Sequence, residues 1–344
     1  MSVAAAWRRH AGGERGARER LPKVPAGGPC WVSPRMPDPA PAPSTRRLLA
    51  AFPTLLAVAL LAYAARWFAV RWRTVMGDGP APPVAWGWLA VAAGLLVLHA
   101  TSAMVIWRQV LAAIGHRLSW REATDSFAPS LLARYVPGKV WANAVRVGLA
   151  RRAGVRLGAG AGAVLWETFV ALGSGGVVAF VGLRLAGAAH ARPALGLIVG
   201  IIVAWIAAGV LARQARGAAL LERFGGVRPV REPMSLAPAI GTSLLGWALF
   251  AFAHLAVVRA VAPVGLEALP LVAGAVALAW AGGYLAVVMP LGLGVRDGLL
   301  LVLLAPILTA PQALLFVALS RLVQLAVDAA ITGGWVIGQV LRRS

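Results

Sequence analysis

An ionisable side chain in the middle of a membrane-embedded run costs about 2.5–3.5 kcal/mol on insertion scales, so each one needs a physical reason. Glu167 stands in such a run, Ala163-Val164-Leu165-Trp166-Glu167-Thr168. One and two helical turns on, Ala171 and Ser174 share its face, with Gly173, Gly175 and Gly176 close by. Small residues there let a second helix approach. The carboxylate is either a substrate-coordinating or proton-handling group, or half of a structural ion pair between helices. A second polar set, Arg321, Gln324 and Asp328, has offsets of three and seven, which place all three on one helical face. Arg321 and Asp328 are two turns apart, about 10 Å of rise. Each therefore reaches for a partner on another helix, and Glu167 is the expected partner of Arg321.

Two broken stretches carry the remaining candidates. The first is Arg134-Tyr135-Val136-Pro137-Gly138-Lys139-Val140-Trp141-Ala142-Asn143-Ala144-Val145-Arg146, in which Pro137-Gly138 interrupts any helix. Lys139 is one of only two lysines in the chain, set in an apolar and broken context with Arg146. Cations so placed suit a phosphate or a lipid headgroup, which arginine forks bind bidentately. Tyr135 and Asn143 join them as candidate headgroup contacts. Arg151, Arg152 and Arg156, farther along, read as charges that merely hold the loop at the membrane face. The second stretch is Pro290-Leu291-Gly292-Leu293-Gly294-Val295-Arg296-Asp297-Gly298. A helix beginning near Gly298 would present free amides to an anion, with Arg296 adding charge. Alternatively, Arg296 and Asp297 form a local pair in a turn.

Other chemistry is sparse. His10, His99, His116, His190 and His254 show no metal-ligand spacing, and His254 reads as a hydrogen-bond partner between helices. No phosphate-cradling GxxxxGK[ST] loop is present, so neither a cofactor nor a metal is expected. Glu122, Asp125 and Asp297 form no convincing acid–base pair, and no catalytic residue is assigned.

These groups must be held by a bundle in lipid. Hydrophobic residues make up 60% of the chain and charged residues 13%, against roughly 45–50% and 25% in globular proteins. Residues 1–47 differ, with nine Lys/Arg, three acids and clustered prolines. They read as a disordered basic cytoplasmic tail, with Met36 offering an alternative start. Runs near the length needed to cross a bilayer, about 20 apolar residues, fall at 48–65, 84–106, 158–183, 194–212, 237–258, 268–289, 298–310 and 312–338. The seventh is short and flanked by Pro306 and Pro311, which suggests a re-entrant or broken segment. The expected fold is all-α, a polytopic transmembrane helix bundle of about eight spans over residues 48–340. Seven spans is the main competitor.

Arginines orient it. The tail, the loops at 107–157 and 213–236 and the C-terminus together hold 25 of the 33 basic residues, against six in the alternate loops. That places both termini in the cytoplasm. Trp67, Trp86, Trp88 and Trp107 lie near predicted span ends, where amphipathic rings favour the interface. Each half has two spans, a break (Pro129 to Gly148, or Pro290 to Gly298) and two more spans. Paired breaks of this kind point to transporter binding sites.

Two of these stretches resemble signatures of the bacterial flippase-like membrane family that shares the multi-span domain of lysylphosphatidylglycerol synthases (multiple peptide resistance factor type). One is Arg134 to Trp141 with Ala150-Arg151-Arg152-Ala153-Gly154-Val155 and Glu167. The other is Pro290 to Gly298 with Ser320-Arg321. The family pattern more often has Pro-Gly-Gly at the second site and Glu where this chain has Asp297. The resemblance implies a bacterial inner-membrane domain that translocates or handles lipids with charged headgroups. The soluble aminoacyl-transfer domain of the synthases is not expected here. The expected partners are anionic or phosphate-bearing membrane lipids and cell-envelope synthesis enzymes, with no nucleic acid, because the arginines track membrane faces and not a groove. A membrane-embedded lipid-modifying transferase and a non-transporting subunit of an envelope-synthesis complex are the alternative readings.

Overall fold

The computed structural model describes residues 83–136, 140–187, 233–285 and 294–342, with isolated positions 66, 70, 196 and 200. The expected tail at 1–47, the expected span at 48–65, that at 194–212 apart from positions 196 and 200, and Lys139 lie outside the described residues. Among the described residues the fold is all-α, without strands. Eight α-helices follow in order: α1 (Trp86–Ala113), α2 (Trp120–Ala133), α3 (Trp141–Ala150), α4 (Leu157–Leu185), α5 (Ala237–Val261), α6 (Leu269–Leu285), α7 (Val295–Leu303) and α8 (Ala310–Leu341).

Five of these, α1, α4, α5, α6 and α8, lie in stretches long and apolar enough to cross a membrane. They coincide with five of the spans read from the sequence. The short seventh stretch is α7, nine residues, about 14 Å long. That covers only half of a hydrocarbon core of about 30 Å. Its start is Val295, three residues before the expected Gly298. Gly294 precedes it with φ +91°, a left-handed turn that glycine enters without a steric penalty.

The loop expected at 107–157 is mostly helical. Ser119 opens α2 with a capping box: its hydroxyl accepts from the Glu122 amide, and the Glu122 carboxylate accepts from the Ser119 amide. Hydrogen bonds from the Ser119 hydroxyl and then its amide hold the Glu122 carboxyl below the usual range. The first break is narrower than Pro129 to Gly148. Pro129 sits inside α2, and the chain leaves the helix only after Ala133, ahead of Pro137-Gly138. Helices α2 and α3 form a hairpin whose polar contacts with α8 run antiparallel: Asp125 meets Gln339, Ala128 meets Thr332, and Tyr135 meets Asp328.

With α8 ending at the bottom, the buried apolar side chains form two layers. The lower layer joins the end of α1 (Ile106, Trp107, Val110, Leu111), the α2–α3 hairpin (Phe127, Leu131, Val147) and the start of α4 (Ala159, Ala163). The upper layer joins the start of α1, the end of α4, most of α5, and α6, α7 and the first half of α8. The hairpin thus rises from below toward mid-height, and α7 climbs from mid-height into the upper layer. Trp107 is not an interface residue. It is fully buried, and its Nε1 donates to Ser126 Oγ at 3.3 Å. Trp86 and Trp88 are exposed, at the start of α1.

Helices α4 and α6 cross at glycine. A Cβ on Gly182 would stand 2.5 Å from the Pro270 carbonyl oxygen and 2.8 Å from the Gly274 nitrogen. Backbone atoms cannot yield as a flexible side chain can. Gly182→Ala is therefore expected to destabilise the protein by about 1–3 kcal/mol. Gly94→Ala, with nothing within 4 Å of its Cβ, should leave stability unchanged. Thermal unfolding of both variants in the same detergent checks the contrast.

Candidate functional site

Between the two apolar layers lies a cavity of about 370 Å³. Of the residues singled out in the sequence, Tyr135, Asn143, Arg146, Glu167, Arg296, Arg321 and Gln324 line it. Asp297 and Asp328 stand behind the wall, both buried and bonded to lining residues. Side chains scattered over nearly 200 positions thus converge because the hairpin apex, the start of α7 and the middles of α4 and α8 all reach mid-height.

The pairing differs from the one expected. Glu167 and Arg321 are not partners. Arg146, on the short helix α3, directs Nη1 at both Glu167 oxygens, 2.9 and 2.7 Å away. Its Nε donates to Ser130 Oγ at 3.4 Å. The guanidinium also lies 4.6 Å from the Phe127 ring centre and 5.3 Å from that of Trp107, a cation–π setting that suits a desolvated arginine. Arg321 instead takes Asp297: its Nε and Nη2 donate to Oδ1 at 3.0 and 2.7 Å, and Nη2 also to Oδ2 at 2.8 Å. The reason is reach. Each partner comes from a short helix packed beside the long one.

The two pairs mirror each other. In one, the short helix α3 supplies the arginine and the following long helix α4 the carboxylate. In the other, the short helix α7 supplies the carboxylate and α8 the arginine. Each pair thus joins a short helix to the long helix that follows it, with the charges inverted. Arg296 and Asp297 do not form the local pair that was the alternative reading.

Asp328 is the third carboxylate. Its side chain is wholly buried, as expected of a group needing a partner on another element. Tyr135 Oη donates to Oδ2 at 2.9 Å and Gln324 Nε2 to Oδ1 at 3.2 Å. Arg134 Nη1 stands 3.6 Å away. Arg296 is different again. Among the described residues it has no carboxylate partner, and its Nη2 lies 3.4 Å from His254 Nε2. His254 Nδ1 is 2.8 Å from the Phe250 carbonyl oxygen. A carbonyl can only accept, so Nδ1 holds the proton and Nε2 accepts from Arg296. His254 thus links α5 to α7, as a hydrogen-bond partner between helices.

Four arginines (Arg134, Arg146, Arg296, Arg321) and one carboxylate (Glu167) line the cavity. Counting Asp297 and Asp328 behind the wall, cations still exceed anions by one among the described residues. The first turns of α3 and α7 face the same space through Asn143 and Arg296, and helix N-termini favour negative charge. The opposite wall is aromatic. Trp280 packs edge-on to Trp247 with centroids 5.3 Å apart, and stacks on Tyr284 at 5.3 Å.

A family model described as the lysylphosphatidylglycerol synthase TM region matches residues 81–331. The chain belongs to this family. The match runs from just before α1 to the middle of α8, so the cavity and all three carboxylates lie within a lysylphosphatidylglycerol synthase TM region. No individual curated protein matches the chain.

In this family member several site residues went unread in the sequence. Arg134 opens the first broken stretch beside Tyr135 but is not among the expected headgroup contacts. The polar stripe of α8 does not stop at Asp328: Thr332, Trp335 and Gln339 continue it at helical spacing, and extending the same count would have found them. Trp247, Trp280 and Tyr284 carry no charge and look like ordinary core aromatics. Glu122 and Asp125, considered as carboxylates for chemistry, cap α2 and bind Trp335 and Gln339 respectively. Arg151, Arg152 and Arg156 are exposed, away from the cavity.

Breaking a buried ion pair by removing one partner costs about 3–5 kcal/mol. Arg146→Glu should therefore unfold at a markedly lower temperature, and adding Glu167→Arg should recover most of the loss. Combining Glu167→Arg with Arg321→Glu should recover nothing. Thermal unfolding of the single and double exchanges separates the two pairings.

Proposed function

We propose that the chain takes the anionic, phosphate-bearing headgroup of a membrane lipid or lipid-linked intermediate into this cavity and passes it between the leaflets. The observation that carries the reading is Arg296, a cavity-lining guanidinium with no carboxylate partner among the described residues. A cation at mid-membrane is costly, and an anionic ligand would supply the missing charge with strong, charge-assisted hydrogen bonds. Arg321 and Arg146, each held by its own carboxylate, give a pre-organised rim. Arg134 and Tyr135 close the side nearest Asp328. Asn143, which lines the cavity, and Lys139, which lies outside the described residues, are assigned to the same headgroup.

The size of the cavity fits this division of labour. A space of about 370 Å³ is at the small end of ligand pockets. It accepts a headgroup while the acyl or prenyl chains stay in the bilayer. In the accompanying topology the arginine-rich lower end faces the cytoplasm of a bacterial inner membrane, both termini lie on that side, and envelope-synthesis enzymes are the proposed neighbours.

Reconstitution tests it. Fluorescent phosphatidylglycerol and a polyprenyl phosphate, placed in one leaflet of proteoliposomes, should equilibrate faster with the wild-type chain than in empty vesicles. Arg296→Gln should slow this by roughly tenfold, the value of one charge-assisted contact, and Arg296→Lys should restore part of it. Failure of the wild-type chain to move either lipid would overturn the reading.

A further inference from the structure

The cavity is sealed above and below by different kinds of contact. Above it, α8 is embedded in apolar packing: Ala313, Phe316, Val317 and Leu319 all belong to the upper layer. Past Val327, which still joins the upper layer, no buried apolar side chain of α8 joins either layer among the described residues, and the half-buried Ile331 packs against both. What holds the lower half of α8 to α2 is a row of polar contacts. Trp335 Nε1 and Gln339 Nε2 donate to Asp125 Oδ1 at 2.8 and 2.6 Å, Thr332 Oγ1 donates to the Ala128 carbonyl at 2.9 Å, and Tyr135 Oη donates to Asp328. The donors and acceptors on α8 recur every three or four residues, so they form one continuous seam that ends at the cavity.

From this contrast we propose that the seam between α2 and α8 is the lateral entrance by which a lipid headgroup reaches the cavity from the lower face. The inference rests on the anionic-lipid reading. A lipid cannot enter by a closed channel, because its chains must remain in hydrocarbon, so the route has to be a slit between two helices. Apolar layers do not open cheaply, since parting them forfeits packing on both sides. A hydrogen-bonded seam does, because each donor can exchange its partner for water or a headgroup oxygen, and each acceptor for water. The seam begins among exposed groups: the side chain of Arg121, which pairs with Asp125 at 3.8 Å, is 66% exposed. It ends at Arg134, whose own contact with Asp328 is the longest of the three cavity ion pairs, at 3.6 Å. A headgroup travelling inward is therefore met by a guanidinium that a phosphate can draw away. Helix α2 keeps its fold during opening through its capping box, and its other face stays in the lower layer.

The experiment uses the full chain with Cys30→Ala, carrying Ala128→Cys and Thr332→Cys across the seam. Oxidation to the disulfide should stop transbilayer movement of fluorescent phosphatidylglycerol, and a reducing agent should restore it. An oxidised chain that moves the lipid at the reduced rate overturns the entrance while leaving the anionic-lipid reading intact. Movement by neither form nor by wild type overturns that reading. The seam is then judged by spin labels at Arg121→Cys and Leu341→Cys in liposomes. A second, longer distance population, increased a few-fold by Thr332→Val, supports an opening seam, and a single fixed distance in both chains overturns it.

Discussion

A charge in a low-dielectric bundle must find an opposite charge or a dense set of hydrogen bonds, and it must find them nearby. The centre of this protein is arranged around that constraint. Glu167 and Arg321 lie on the long helices α4 and α8, away from the helix ends. Each is satisfied by a short helix that ends beside it, α3 for Glu167 and α7 for Arg321. A full-length span could have supplied a partner too, but it would have filled the space the short helices leave open. The cavity and the two broken helices are consequences of one another.

The inverted polarity of the two pairs is informative about what is required. If the identity of the charge mattered at these positions, the halves would be expected to agree. Both pairs join a short helix to the long helix that follows it and differ in sign, so what they share is neutralisation of a charge on a long helix. The excess cation falls elsewhere, at Arg296, held by the neutral imidazole of His254 and aimed into the cavity. The arginines of the cavity thus differ by partner. Arg146 and Arg321 are locked by carboxylates, and Arg296 is not.

Sequence reading went far with the elements and less far with their pairing. The five described spans, the broken seventh segment and the polar face of α8 follow from hydropathy and helical spacing, which are local properties. Seven of ten candidate residues line the cavity, because an ionisable group in an apolar run is rare enough to stand out. The Glu167–Arg321 pair failed for a definite reason: two opposite charges at similar depth look complementary, but spacing along a chain does not tell which helices are neighbours. Trp107 failed similarly. Its place near a predicted span end suggested an interface ring, and only the helical hairpin beside it, read as a loop, turns that place into a core position.

Composition and charge placement by themselves determined that this is a helical membrane protein, where its helices break, and which side chains are too costly to be idle, since transfer free energies depend on residue type and local spacing. The tertiary structure decided which charge neutralises which, left Arg296 facing the cavity with no carboxylate within ion-pair distance among the described residues, and set a polar seam along the lower half of α8. Those are properties of distance between segments, and a one-dimensional pattern carries no distances.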